Sequence, residues 1–529
     1  MNIANNKIRL KDQTTYSRMT TAKAVEVSKD ITDIIETVKP DIQSVGFTTD
    51  LWTSRAGHSY LSLTTHFIDK SWKLHRYTPY IKPFPGRHTG VNIALKLDSM
   101  IDTLGLKKDD ISLYAVNDNA ANMKLGIRLS DNLIQYYCVI HTLQLAVDGT
   151  FREVIGMENV LKKCKALATF THQSTVALDA LEKAARDENI PFRKLKNPGD
   201  TRWDSRYDTM ISELHLKDVI KKLCDENEDW SDKIIDRAGW KLLEGAVKIL
   251  KPIKDTVKAF KGEKEPTMQR VLERIYTNHY LLDKFINNHN NCHYGIGFAR
   301  TLKMNIEHRF PNKGLEVEER RFANYLAPQF KGIHLLSSNR LENTKDELEA
   351  TSDRLESVEE VESEEDDELQ DVELSPTSKL MRQCKDRFDV ANRRNKSKLR
   401  IEMEKYELFS LQSKDCDILL WWKQHDNVLP LLSKIAKRVL TIPASSAKSE
   451  RVFSTGGNVV TAKRNRLAPK KVEALVLIKE NKDKVDAFKR NLDYVIAKTD
   501  KNTFENINHV RSAAPTVGSL VLSDDEEDD

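Results

Sequence analysis

The stretch that most constrains this chain is 45–54, VGFTTDLWTS. It is apolar and β-branched, which predicts a buried strand. It also carries Asp50 where such a strand should be apolar throughout. A lone carboxylate in a core strand is costly unless something pairs with it. Asp50 therefore either caps a turn or meets a cation such as Arg55, or it belongs to a site. Two further acids favour a site. Asp118, in YAVNDNAANM, ends another apolar run, and Glu450, in SSAKSERVFSTGG, falls on an expected short helix. Three converging carboxylates are what a site needs to hold two hard divalent cations for phosphoryl transfer.

The pattern around that strand predicts a mixed sheet. A helix over 20–38, with Val27, Ile31, Ile34 and Ile35 on one face, is stopped by Pro40. Residues 60–69 alternate Leu61, Leu63, Thr65 and Phe67, as a strand does. Residues 73–84 form a third strand that Pro79 makes irregular or confines to an edge. Then come a helix over 92–104, a strand over 111–116 ending at Asp118, a helix over 120–129 and a short strand over 136–140 that leads into His141. Three meandering strands followed by alternating helices and strands predict helices on both faces. This order is that of the RNase H-like layout, with one acid on the first strand and the next beyond the fourth. Residues 151–330 read as helices throughout.

Charge divides the chain unevenly. The net charge is only +4, but 356–373 holds eleven acids and no base, and 524–529 holds six more acids. With those seventeen set aside the rest carries about +21, which favours a nucleic-acid partner. The acidic stretch 341–377 is expected to be an extended, solvated linker. Residues 417–440 carry an apolar stripe of Trp421, Trp422, Leu431, Leu432 and Val439, suited to a core or to a protein interface. A helix beginning at Pro443 or Ser445 and ended by Gly456 and Gly457 is expected to hold Glu450 in its middle. The six cysteines are scattered without a C-x-x-C pair and read as reduced thiols of an intracellular protein. The N-terminus lacks the apolar core of a signal peptide, and no run approaches the roughly 18 apolar residues of a membrane helix. Residues 393–398, RRNKSK, are either a nuclear-import signal or solvated surface.

Five motifs in order resemble the hAT family of DNA transposases and the domesticated BED-finger proteins descended from it. They are TTDLWTS at 48–54, NDNAANM at 117–123, CVIHTLQLAV at 138–147, TRWDS at 201–205 and IPASSAKSERVFSTGG at 442–457. The resemblance implies an α/β fold, an RNase H-like mixed sheet interrupted by a large all-α insertion, with a helical C-terminal dimerisation region. It implies an acidic triad of Asp50, Asp118 and Glu450 holding Mg2+ or Mn2+. It places Arg202 and Trp203 on DNA, the first on phosphate and the second stacked on a flipped base. Without that resemblance, the favoured reading of Trp203 is a core residue beside a surface arginine. His141 is a candidate phosphate or acid–base contact, with Cys138 a buried thiol. Lys463, Arg464 and Arg466 concentrate charge after the Glu450 helix and are expected DNA contacts. The family's BED zinc finger needs paired cysteines, and none precedes Cys138, so no zinc is expected in this chain.

The expected organisation is a disordered N-terminus over 1–19, a helix in 20–44 and the first part of the RNase H-like core over 45–150. A helical insertion over 151–340, the acidic linker over 341–377 and a charged helical segment over 378–414 follow. A dimerisation region over 415–481 completes the core, and a polar acidic tail occupies 482–529. The expected partners are DNA and a second copy of the chain, as homodimer or higher homo-oligomer, with no membrane, and the expected location is the nucleus. Two functions stay open. One is a two-metal transposase that cleaves and transfers DNA strands. The other is a domesticated, catalytically silent nuclear protein that binds DNA or regulates transcription. The retained acids favour the first, and the missing finger favours the second.

Overall fold

A computed structural model describes residues 12–108, 111–199, 203–262, 264–288, 290–311, 315–331, 335–359, 397–461 and 466–512. Its centre is one five-stranded sheet. The strands are β1 (Ser44–Thr53), β2 (Ser59–Ile68), β3 (Leu74–Pro83), β4 (Ser112–Asn117) and β5 (Ile134–Tyr137). They lie in the order β3-β2-β1-β4-β5. β1–β2 and β2–β3 pair antiparallel, while β1–β4 and β4–β5 pair parallel. Pro79 lies in β3 at the sheet edge, where a missing N–H is tolerated.

Strand alternation gives the sheet two unlike faces. Val45, Phe47, Leu61, Leu63, Leu113 and Ala115 share one core with the helices α1 (Gln13–Val38), α2 (Gly90–Thr103) and α3 (Ala121–Leu129). The alternate positions Thr48, Asp50, Ser62, Thr64 and His66 make the other face polar. Its hydroxyls satisfy one another across strands, as in Thr64 and Thr78 at 3.1 Å.

α4 (Val139–Glu153) leads from β5 into a body of helices: α5 (Met157–Gln173), α6 (Thr175–Asp187), α7 (Trp203–His215), α8 (Lys217–Glu226), α9 (Glu228–Ser231), α10 (Arg237–Phe260), α11 (Arg270–Ile286), α12 (His293–Arg309), α13 (Glu318–Tyr325) and α14 (Ser338–Glu359). The chain resumes as α15 (Lys398–Leu408), α16 (Ile418–His425) and α17 (Pro430–Leu440). α18 (Ala447–Val459) and α19 (Pro469–Ser512) then return to the polar face of the sheet.

Several expectations change here. Residues 13–19 are helical, because the Asp12 carboxylate caps α1 by accepting from Thr15 N at 2.8 Å. Residues 341–359 are a packed helix instead of an extended linker. Thr344 and Leu348 are fully buried there, and Arg321 donates to Thr344 Oγ1 and to Glu347. The rest of that acidic stretch lies outside the described residues. The expected polar tail from 482 onward continues α19 as far as Ser512, with Val485 buried against the α1 face and Lys489 meeting Asp30 at 2.6 Å. α18 runs through Gly456 and Gly457 to Val459, so Glu450 sits in its first turn. Trp421, Trp422, Leu432 and Val439 are buried, and Trp422 Nε1 donates to Leu326 O at 3.0 Å. Within this chain their role is packing. Among the described residues no helix is long and apolar enough to cross a membrane.

Candidate functional site

The β1–β4 ladder ends at Thr48 opposite Val116. Asp50 and Asp118 each lie two residues further on, so they stand at the same end of adjacent strands, which run about 4.8 Å apart. Asp50 pairs with Ser62 of β2 and is partly buried, as Asp118 is.

Glu450 arrives from the far end of the chain. Ser449 Oγ donates to Thr48 Oγ1 at 3.0 Å, which sets the start of α18 on β1. Seven residues on, Gly456 lies against Trp52, where an added Cβ would stand 3.0 Å from the indole, and Phe453 stacks on the same ring at 5.7 Å. Ser449 over Thr48 and Gly456 over Trp52 make α18 run along β1. Glu450 directly follows Ser449 in the first turn of α18, on the helix packed along the strand that carries Asp50. The absence of a side chain at Gly456 permits that approach.

Two devices hold α18 there. The first is Cys138, whose Sγ accepts from His141 N and from Ser446 N, both at 3.4 Å. The same thiol thus caps α4 and anchors the loop before α18, while Val139 N donates to Ala444 O at 3.0 Å. Burial raises the Cys138 pKa, opposed by hydrogen bonds from its neighbours, and the charge of Glu450 adds to the rise. The second device is the buried pair of Lys448 and Glu480 at 2.8 Å. Against the cost of burial, hydrogen bonds from Lys448 and Thr455 hold Glu480 below the usual carboxylate range. Asn481 completes the clamp by bonding both backbone groups of Thr78 on β3. No spacing in the sequence marks these partners; only the loose C-x-x-H pointed to Cys138.

Asp50 and Asp118 stand at one end of the sheet, and Glu450 lies on the helix packed against β1. Among the described residues no three His, Cys, Asp or Glu side chains form a group that could hold a metal ion. Asp50 Oδ1 accepts from Leu51 N at 2.8 Å, and Asp118 Oδ1 accepts from Ala120 N at 3.1 Å. Both carboxylates turn back onto their own backbone. The donor set still suits a hard divalent cation in kind, being carboxylate oxygens only.

His141 lies in the first turn of α4, beside Thr142, which accepts from Asn119 Nδ2 at 3.2 Å; this brings it to the end of the sheet that carries Asp118. Trp203 is corrected. It is 2% exposed in the main core, edge-on to Tyr207, so its ring cannot stack on a base without leaving that core. Its helix nevertheless reaches the site's neighbourhood. Asp204 meets Lys261 at 3.0 Å, and the Lys261 carbonyl accepts from Arg451 of α18 at 2.9 Å. Arg202, Lys463 and Arg464 lie outside the described residues; Arg466 is exposed.

A five-stranded mixed sheet with acids at one strand end defines a class, and residues 48–145 match the family model described as the ZBED1 RNase-like domain. Residues 398–482 match the hAT family C-terminal dimerisation region. The chain is 26% identical over 488 residues to the putative AC transposase of Zea mays, covering 83% of this chain and 57% of that protein. It is 22% identical over 462 residues to the zinc finger BED domain-containing protein DAYSLEEPER of Arabidopsis thaliana, covering 82% and 63%. It is 23% identical to RICESLEEPER 3 of Oryza sativa subsp. japonica over 482 residues, covering 82% and 61%. These matches support a hAT-family transposase or a derivative of one as what the chain is similar to. The chain spans about six-tenths of the length of these curated relatives.

Proposed function

We propose that this chain is the catalytic and dimerising part of a transposase-like protein that acts on DNA in the nucleus as a homodimer. The reading treats the sheet as an RNase H-like core interrupted by the helical body as an insertion. It rests on one observation above all: α18 returns from the far end of the chain to pack along β1, the strand that carries Asp50, with Ser449 on Thr48 and Gly456 against Trp52, while Asp118 follows the adjacent strand β4. Asp50, Asp118 and Glu450 would hold Mg2+ or Mn2+. Bound there, such ions supply an activated water or hydroxyl and stabilise charge building at phosphorus. The chain's own residues do the positioning: Cys138, Lys448 and Glu480 fix α18, and Asn481 fixes α19 on β3.

The domesticated reading is favoured by a different observation, the turning of Asp50 and Asp118 onto their own backbone amides. Mn2+ titration followed by electron paramagnetic resonance separates the two, with and without a nicked duplex. The transposase reading expects Mn2+ uptake that Asp50→Asn, Asp118→Asn and Glu450→Gln each reduce by about 10-fold or more, together with strand cleavage that all three abolish. A wild-type chain that binds duplex DNA yet neither takes up Mn2+ nor cleaves is the domesticated protein.

A further inference from the structure

The helical body meets the region matched to the dimerisation model across a cavity of about 480 Å3, which none of the three acids lines. That volume is in the range of small-molecule pockets, about 300–1,000 Å3. Phe330, Leu336, Leu341, Phe409 and Leu411 make its walls largely apolar. Its one lining carboxylate, Glu407, is already engaged by Lys345 at 2.7 Å and by the Tyr325 hydroxyl at 3.1 Å.

Lys331 is placed differently. Its ammonium donates to Tyr406 O at 2.6 Å and to Phe409 O, and lies over the Tyr406 ring at 5.0 Å. Among the described residues no carboxylate pairs with it. Burial lowers its pKa, which the negative charge of Glu407 only partly opposes. Carbonyl dipoles and ring faces offset part of the cost of desolvating this cation. An anion in the cavity would offset more. A strongly hydrated anion would lose its water against apolar walls, so the complementary ligand carries one negative group on an apolar body.

We propose that this cavity is a binding site for an apolar monocarboxylate, with the carboxylate against Lys331 and the body packed on Leu336, Leu341 and Leu411. Leu411 is 55% exposed, which puts it at the mouth and gives the ligand a way in. A bound ligand bridges α14, through Leu341, to the end of α15 and the 409–411 segment beyond it. It therefore stiffens the seam on which the C-terminal region is carried, independently of the acids on the sheet.

The test compares naphthalene-1-carboxylate with naphthalene-1-carboxamide on the full chain, by isothermal titration calorimetry and thermal unfolding. The carboxylate should bind wild type at least about 10-fold more tightly than the amide and raise Tm with concentration. Lys331→Met should bring the two affinities together, and Leu341→Trp, which fills the cavity, should abolish both. Equal affinities on wild type, no binding of either probe up to about 1 mM, or undiminished carboxylate binding by Lys331→Met would each overturn the proposal. If Lys331→Met fails to fold, the wild-type pair and Leu341→Trp decide.

Discussion

Glu213 shows how much a single side chain can hide. It lies in α7, fully buried, and neither carboxylate oxygen has a hydrogen-bond partner. Burial alone pushes its pKa well above the usual 4.5. Its charge is felt by two thiols, Cys164 of α5 and Cys224 of α8, and neither can offset it. A carboxyl whose pKa is raised on folding holds its proton more tightly in the native state. It costs no stability below about pH 4.5, where both states are protonated. Above that the unfolded chain ionises first, and stability falls until the folded carboxyl also ionises. Glu213→Gln should therefore match wild type near pH 4 and exceed it increasingly above pH 5, by on the order of 1 kcal/mol per pH unit. Urea denaturation of both proteins across pH 4–8 checks this, and a difference that stays constant with pH would refute it. Trp203, on the same helix, teaches the related lesson. A tryptophan beside an arginine has one composition and two uses, and only its 2% exposure decides between them.

At the scale of elements, helix contact is set by what the helices omit. α10 and α12 cross at Gly245 and Gly295, where a Cβ on Gly245 would stand 2.6 Å from the Gly295 Cα. Neither backbone can yield without moving its helix. Gly245→Ala should destabilise the protein by about 1–3 kcal/mol, despite the higher helix propensity of alanine. A fall in the urea midpoint at unchanged m-value would show it. Gly297→Ala, where no atom lies within 4 Å of the added Cβ, is the control and should be neutral or slightly stabilising. The strands were the most legible elements, because Leu61, Leu63, Thr65 and Phe67 alternate and Asp50 and Asp118 end apolar runs. The helix over 341–359 was not. Its acids read as solvated until Arg321 of α13 is seen to meet Glu347 and Thr344 from another segment.

For the whole molecule, charge segregation sets what the proposed DNA binding should look like. The chain outside 356–373 and 524–529 carries about +21. Contacts to phosphate carry no sequence information, so this chain should bind unrelated duplexes with similar affinity, and the logarithm of that affinity should fall steeply and linearly with the logarithm of salt concentration. Deleting 524–529 should tighten binding at low salt and matter little at high salt, because screening removes the competition. Titrating labelled duplexes across a salt series checks both. Affinity flat with salt, or confined to one sequence, would contradict them. Local pattern by itself determined the five strands, their alternation, the helical stretch that follows and the acids at the strand ends, because strand and helix periods are properties of neighbouring residues. The tertiary structure alone decided that Ser449 meets Thr48, that Cys138 joins α4 to the loop before α18, that Lys448 and Glu480 bury together and that Trp203 is core. Ser449 and Thr48 are 401 residues apart in sequence, and nothing in the spacing of a chain encodes which distant surfaces will exclude water together.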